Sequence, residues 1–166
     1  MGLLLGDKNN IEQNNVSHEM KLISDDFENN SMIPEECTCE GKNVSPHLKW
    51  LDAPENTKSF ALIVEDPDAP LITWVHWILY NIPSNVNEIK KGSIPQGAKQ
   101  GKNSFRVKEY RGPCPPFGIH RYFFRLYALD TESIEVRNKR DFYKQVKKHS
   151  IKEAVIVGRY RKSTNI

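Results

Sequence analysis

Two histidines enter predicted strands beside proline-rich turns. His76 lies in the apolar segment 74–80, and His120 follows the loop 112–118, which contains three prolines. With the two-residue period of a strand, Tyr122 shares a face with His120. Imidazole groups act as general acids or bases near neutral pH. One histidine in an apolar strand is more often a core residue, but two beside rigid turns indicate a shared pocket.

An acidic turn directly follows the apolar run 60–64. It spans residues 65–70 and reads EDPDAP, so that Asp66 and Asp68 each stand next to a proline. The prolines fix the backbone φ angle and remove two amide donors, which predicts a rigid turn. Two carboxylates at a strand end indicate a site, although the same sequence is also typical of an ordinary Asx turn.

A hydrolase is the main enzymatic interpretation of these residues. Asp66, His76 and His120 would act as general acid and base on a phosphoester or peptide, and Cys114 would be the nucleophile. Cys114 lies between prolines with no helix N-terminus to lower its pKa, which favours an unreactive thiol. A metal site would use the same four residues. No close-spaced ligand pair such as CxxC or HxxxH is present, so no metal or other cofactor is predicted.

The cysteines and the N-terminus bear on cellular location. An odd number of cysteines, three, is typical of a reducing compartment rather than of a disulfide framework. Cys37 and Cys39 stand two positions apart, at the limit of disulfide reach in a strand, so free thiols are expected. The first residues lack the basic flank and apolar length of a secretory signal, and no apolar run approaches the roughly 20 residues of a membrane span. A cytoplasmic protein with no stable membrane insertion is therefore expected.

The charge is distributed unevenly along the chain. The 166 residues contain 24 Lys plus Arg and 21 Asp plus Glu, but residues 137–166 alone contain ten basic and two acidic side chains. Such a basic segment could attract nucleic acid or anionic lipid. Aromatic residues are not interleaved through it as in single-strand binders, and no nucleic-acid motif accompanies it. A solvated helix face is the favoured interpretation, and no nucleic-acid partner is predicted.

The surrounding elements are mainly strands. Segments dense in aromatic and β-branched residues and bounded by turn residues predict strands at 48–51, 59–65, 74–82, 120–130 and about 154–160. One helix is predicted at 139–149, where Phe142, Tyr143 and Val146 form an apolar stripe. Residues 1–19 have no apolar periodicity and are expected to form a flexible extension, and residues 20–166 are expected to form one domain.

The period of the strand at 74–82 predicts which of its side chains lie together. Trp74, His76, Ile78 and Tyr80 should share one face, and Val75, Trp77 and Leu79 the other.

Three motifs resemble the phosphatidylethanolamine-binding protein family, also called Raf kinase inhibitor proteins. They are DPDAP at 66–70, WVHWILYNIP at 74–83, and the GPCPP and HRY sequence with the strand after it at 112–130. Shorter similarities occur at 33–34, 38–41 and 43–46. The short step from Pro70 to Trp74 and the GPCPP form are similar to the bacterial and archaeal branch of the family.

The resemblance implies an antiparallel Greek-key β-sandwich of two sheets with one or two short C-terminal helices. It also implies a small surface pocket for phosphate or a phosphoryl head group, in which Asp66 would orient a histidine. The residues that match the family's pocket are Asp66, Asp68, Trp74, His76, Pro113, His120 and Tyr122.

The function expected from this pocket is non-enzymatic binding of an anionic or phosphorylated ligand. Some relatives inhibit a kinase or a protease, which makes a regulatory role with a protein partner part of the expectation. The resemblance to the bacterial branch also suggests a homodimer. Arg121, whose side chain points away from His120, is expected to form a structural ion pair.

Overall fold

The chain folds into two packed β-sheets with one α-helix against the outer face of the larger sheet. The computed structural model describes residues 19–163. Its strands are β1 (Lys21–Ile23), β2 (Ser31–Met32), β3 (Leu48–Leu51), β4 (Ser59–Asp66), β5 (Trp74–Pro83), β6 (Glu88–Ile89), β7 (Lys99–Gly101), β8 (His120–Leu129) and β9 (Ser150–Tyr160). The helix is α1 (Lys139–His149), and a short 3₁₀ helix spans Glu35–Cys37.

The two sheets differ in size. The smaller sheet has the order β1, β3, β6, and the larger has the order β2, β9, β8, β4, β5, β7. The predicted two-sheet β-sandwich with a helix at 139–149 is confirmed. One pairing departs from the antiparallel expectation, because the two-residue edge strand β2 runs parallel to β9.

The strand β4 is buried on both faces, which explains its uninterrupted apolar sequence. All eight of its residues are buried, and it pairs with β5 on one side and β8 on the other. Leu62 and Val64 point into the core between the sheets, whereas Ala61 and Ile63 point into a second core under α1. A strand covered on both faces has no solvent-facing positions, so it lacks the alternation of a half-buried strand.

The helix α1 closes the second core. Phe142 and Val146 are buried against Ile63 and Ile78 of the larger sheet. Tyr143 is partly exposed, and its hydroxyl donates a hydrogen bond to the carboxylate of Glu65. The predicted apolar stripe is therefore buried at two of its three positions. Among residues 19–163, no helix is long and apolar enough to cross a membrane.

The N-terminus of α1 is capped by Asn138, whose side-chain oxygen accepts a hydrogen bond from the amide of Asp141 at 3.1 Å. The substitution Asn138→Ala should lower the free energy of unfolding by about 1 kcal/mol, because one amide of the first turn loses its acceptor. Urea denaturation measures the change. Asn138→Ser is the matched control and should keep most of the stability, so equal losses in both variants would contradict the capping role.

The strand β5 does not alternate as predicted. Its pairing with β4 shifts register between Val64 and Glu65, which leaves His76 as an extra residue in a β-bulge. Trp77 and Leu79 pack in the core between the sheets, while Ile78 packs under α1. His76 contacts Tyr122, which also belongs to the core between the sheets. The prediction that His76 and Ile78 share a face is therefore wrong, because the bulge reverses the alternation between them.

The predicted flexible extension, residues 1–19, lies outside the described residues except for Glu19.

Candidate functional site

A cavity of about 310 Å³ opens at one end of the central strands β4, β5 and β8 of the larger sheet. Antiparallel pairing brings the end of β4 to the beginnings of β5 and β8, since Asp66 is opposite Trp74 and Glu65 is opposite Phe123. The side chains at these strand ends therefore meet. The cavity is lined by Asp66, Ala69, Pro70, Trp74, His76, Phe105, Cys114, Pro116, His120 and Tyr122.

Asp66 and His120 form a buried pair at the base of this cavity. Asp66 is 4% exposed and His120 is 6% exposed. Nδ1 of His120 donates a hydrogen bond to Oδ2 of Asp66 at 2.7 Å, and Oδ1 of Asp66 accepts from the amide of Asp68 at 2.8 Å. The carboxylate thus fixes the tautomer and orientation of the ring, and leaves Nε2 as its other hydrogen-bonding atom.

His76 is held in a similar way by the backbone. Its Nδ1 donates a hydrogen bond to the carbonyl oxygen of Arg111 at 2.7 Å, which leaves Nε2 as the second hydrogen-bonding atom of the ring. Burial lowers the pKa of His76 below its ordinary value, and the backbone of Arg111 and the charge of Asp66 offset only part of this effect. His76 is therefore neutral near pH 7 in the free protein.

Aromatic rings form the walls around the two imidazoles. The ring of His76 lies edge-on to Tyr122 at 5.2 Å and to Phe105 at 5.3 Å between centroids. Trp74 is edge-on to Phe105 at 5.5 Å. Burial raises the pKa of Tyr122, so its phenol stays protonated, and the backbone of Cys114 hydrogen-bonds to it. The cavity is thus largely apolar, with a few polar groups at fixed positions.

Two of the seven residues that sequence predicts for the pocket do not line the cavity. Pro113 is buried, and its carbonyl accepts a hydrogen bond from the amide of Cys39 at 3.1 Å. Asp68 is turned toward Arg121 and accepts from Nε at 2.9 Å and from Nη2 at 2.8 Å. These hydrogen bonds lower the pKa of Asp68. The predicted ion pair of Arg121 is confirmed, with Asp68 as its partner.

Cys39 and Cys114 form a disulfide, which the sequence did not predict. The expectation of three free thiols is wrong: only Cys37, which is buried, is free. Cys114 is therefore not a thiolate nucleophile in this structure, as the hydrolase interpretation would need. Both bonded cysteines are exposed, and Cys114 lines the cavity. The predicted cytoplasmic location loses the support that free thiols gave it.

The loop that carries Arg111 is fixed by contacts with the segment around the 3₁₀ helix. The amide of Gly112 donates to Oδ1 of Asn43 at 2.7 Å, and the hydroxyl of Tyr110 donates to the carbonyl of Cys37 at 2.7 Å. A Cβ atom on Gly112 would lie 2.2 Å from that same carbonyl oxygen, so only glycine fits. These contacts set the position of the carbonyl that holds His76.

Sequence analysis missed several residues of the cavity. Phe105, Pro116, Ala69 and Pro70 line it but lie in loops without periodicity. Ala69, Pro70 and Pro116 lie within the DPDAP and GPCPP motifs, which gave a signal for them, whereas the loop 102–111 around Phe105 contains no proline and gave none. Among residues 19–163, no group of three or more metal-ligating side chains is arranged to hold a metal ion.

A protein-family model and two relatives match most of this chain. The family model described as phosphatidylethanolamine-binding protein matches residues 23–161. The UPF0098 protein of Methanothermobacter thermautotrophicus is 43% identical, over 86% of this chain and 99% of that protein. The UPF0098 protein of Aquifex aeolicus is 42% identical, over 86% of this chain and 89% of that protein.

Two solved structures are similar. YbcL of Escherichia coli, described as a new member of the mammalian PEBP family, superimposes with a TM-score of 0.84 at 34% identity, covering 88% of this chain and 100% of that one. A phosphatidylethanolamine-binding protein homologue from Chlamydia trachomatis, CT736, gives 0.83 at 38% identity, covering 87% and 99%.

The fold and the cavity define a two-sheet β-sandwich protein with a buried His–Asp pair at one end of the central strands of its larger sheet. With the family match over residues 23–161 and these relatives, the chain belongs to the phosphatidylethanolamine-binding protein family.

Proposed function

We propose that the cavity binds a phosphate or phosphoryl group and does not turn it over. The observation that supports this most is the pair of histidines, His76 and His120, which line one cavity with both Nδ1 atoms already bonded. Each ring is left with Nε2 to bind a ligand. Protonated Nε2 atoms donate charge-assisted hydrogen bonds to an oxyanion, which are about twice as strong as those between neutral groups.

Binding without turnover is favoured by the state of the other groups. Cys114 is in a disulfide, and the phenol of Tyr122 stays protonated because burial raises its pKa. Each oxygen of Asp66 already accepts a hydrogen bond, one from His120 and one from the amide of Asp68, which gives this carboxylate a positioning role. Neither a thiolate nor a phenolate is available as a nucleophile.

The role that follows is regulatory capture of a phosphorylated ligand. A protein that holds a phosphorylated segment in this cavity would keep that segment from other enzymes, so inhibition of a kinase or protease would be a consequence of binding. A panel of kinases and proteases, assayed with and without the protein, tests that consequence separately from anion binding.

The affinity for sulfate should fall as pH rises from 5.5 to 8. Sulfate stays a dianion throughout this range, so the pH dependence comes from the protein. The lowered pKa of His76 leaves its Nε2 unprotonated near neutral pH, and binding must therefore take up a proton. One linked proton weakens binding by up to roughly tenfold per pH unit above that pKa.

Isothermal calorimetry of sulfate, phosphate and phosphoethanolamine provides the measurement. Repeating the titration in buffers of different ionisation enthalpy counts the protons taken up. An affinity for sulfate that is independent of pH would argue against the histidines as the ligands, and no heat with any of the three anions would contradict the proposed function.

A further inference from the structure

A second cavity of about 330 Å³ lies beside the first and shares Trp74 with it. Its polar lining includes Ser104 and three cationic side chains, Lys102, Arg106 and Lys139. We call this second cavity the cationic groove. It contains none of the residues that the family resemblance assigns to the pocket except Trp74.

A pair of aromatic rings in edge-on contact lies between the two cavities. Trp74 and Phe105 meet edge-on, with centroids 5.5 Å apart and planes at 86°. Phe105 lines the histidine cavity, whereas its neighbours Ser104 and Arg106 line the cationic groove. A ligand that crosses this aromatic pair would therefore contact both cavities.

The backbone that carries the cations is fixed by a buried asparagine. Asn103 is 5% exposed, and its Oδ1 accepts from the amides of Phe105 at 2.9 Å and Val107 at 3.2 Å. Its Nδ2 donates to the carbonyls of His76 at 3.2 Å and Glu109 at 2.8 Å. The loop that forms the groove is thus tied to the same backbone as His76.

Arg106 is held in an unusual conformation by this arrangement. Its φ is +66°, in the left-handed region that non-glycine residues seldom adopt. Such conformations cluster at binding and active sites, where surrounding structure maintains them. The geometry keeps the Arg106 side chain at the groove.

The three cations lack the partners that other basic residues near the site have. Arg121 and Arg125 are each paired with a carboxylate. Within residues 19–163, no carboxylate oxygen lies within 4 Å of the side-chain nitrogens of Lys102, Arg106 or Lys139. Three unpaired positive charges around one concavity create a local potential that favours an anion.

We propose that the cationic groove is a second anion subsite, and that the ligand is a phosphorylated polypeptide segment with acidic side chains on one side of the phosphorylated residue. This inference rests on the proposed function of the histidine cavity. An extended chain advances about 3.3 Å per residue, so acidic residues two or three positions from the phosphorylated residue can reach past the Trp74–Phe105 pair. The aromatic pair would pack against the segment between the two anionic groups.

The shape of the groove favours a polypeptide over an anionic lipid surface. Lys139 is only partly exposed and lies within a concave surface, where an extended chain can reach it.

Fluorescence titration with synthetic peptides tests the proposal. Trp50 and Trp77 are buried and Trp74 is partly exposed, so quenching by added peptide reports on the shared wall. Three phosphoserine peptides are compared: one with glutamates at the second and third positions after the phosphoserine, one with them before it, and one with glutamines at all four positions. One glutamate peptide should bind about tenfold more tightly than the glutamine peptide at moderate salt.

A triple variant, K102Q/R106Q/K139Q, should abolish that preference, and it should weaken binding of the glutamate peptide more than binding of the glutamine peptide. The matched control K147Q/K148Q/K152Q removes the same charge near the other end of α1 and from β9, and it should keep the preference. Equal affinities for all three peptides, or a preference that survives in the groove variant, would overturn the proposal.

Phosphate binding and vesicle co-sedimentation distinguish a failure of the groove proposal from a failure of the proposed function. If inorganic phosphate binds but the glutamate preference is absent, the groove proposal is wrong and the proposed function stands. If neither phosphate nor any peptide binds, both are wrong. Co-sedimentation with vesicles of phosphatidylserine and phosphatidylcholine tests a lipid surface as the partner. The proposal is overturned, and the groove assigned to a lipid surface, if the unmodified protein binds these vesicles but shows no peptide preference, and the groove variant does not bind them.

Discussion

Reduction of the Cys39–Cys114 disulfide is expected to lower the free energy of unfolding by about 4 kcal/mol. The bond joins positions separated by 75 residues. By the chain-entropy account, breaking it returns the conformational freedom of a long loop to the unfolded chain. In the folded protein the bond links the segment after the 3₁₀ helix to the loop that lines the cavity. Urea denaturation with and without a dithiol reductant measures the difference.

A double variant, C39S/C114S, provides the control. It should unfold at the urea concentration of the reduced protein and should not respond to reductant. In the folded protein Cys37 is buried and its pKa is raised to about 12, so this thiol does not exchange with the disulfide until the chain unfolds. If the oxidised and reduced proteins unfold at the same urea concentration, the disulfide does not stabilise the fold.

The substitution His120→Asn is expected to weaken sulfate binding at pH 6 by roughly 100-fold. Nδ2 of asparagine can take the place of the ring Nδ1, so that the hydrogen bond to Asp66 is retained and the carboxylate is not left buried without a partner. Nε2 is lost. Removing a charge-assisted hydrogen bond to a buried anion costs about 2–4 kcal/mol, which corresponds to the predicted loss of affinity.

The protein offers a closely matched control for this variant. Nδ1 of His149 lies 2.7 Å from Oδ1 of Asp130, the same distance as in the Asp66–His120 pair, but His149 stands at the C-terminal end of α1 and lines no part of the cavity. His149→Asn should leave sulfate affinity unchanged. Similar losses in both variants, or no loss in His120→Asn with the fold intact, would show that His120 does not hold the anion.

The elements of this fold were predictable because their sequence signals are local. The apolar run of β4, the dense aromatic strand β8 and the stripe of α1 each determine their own type of structure, and all three were found where they were predicted. The weaker edge strands were not individually predicted. β2, β6 and β7 are only two or three residues long, and pairing partners rather than their own residues make them strands.

The site was predictable in part for the same reason. Five of the predicted pocket residues belong to motifs that resemble those of the family, and the structure brings all five to one cavity. They are Asp66, Trp74, His76, His120 and Tyr122. The bulge at His76 depends on cross-strand register, which is set by β4 and not by the sequence of β5. The disulfide was not predicted because local spacing relates Cys39 only to its neighbour Cys37. Cys114 is 75 positions away in sequence and comes close to Cys39 only in the folded chain.

Nitrogen-15 NMR of the histidine rings during a sulfate titration at pH 7 tests the central claim most directly. The account predicts that Nε2 of His76 changes from an unprotonated nitrogen to a protonated donor as sulfate saturates the cavity, and that the Nε2 resonance of His120 shifts in the same titration. The rings of His47 and His149, which lie outside the cavity, should not change. If the resonances of His76 and His120 stay constant while sulfate binds, the anion is held elsewhere and the account of the pocket is wrong.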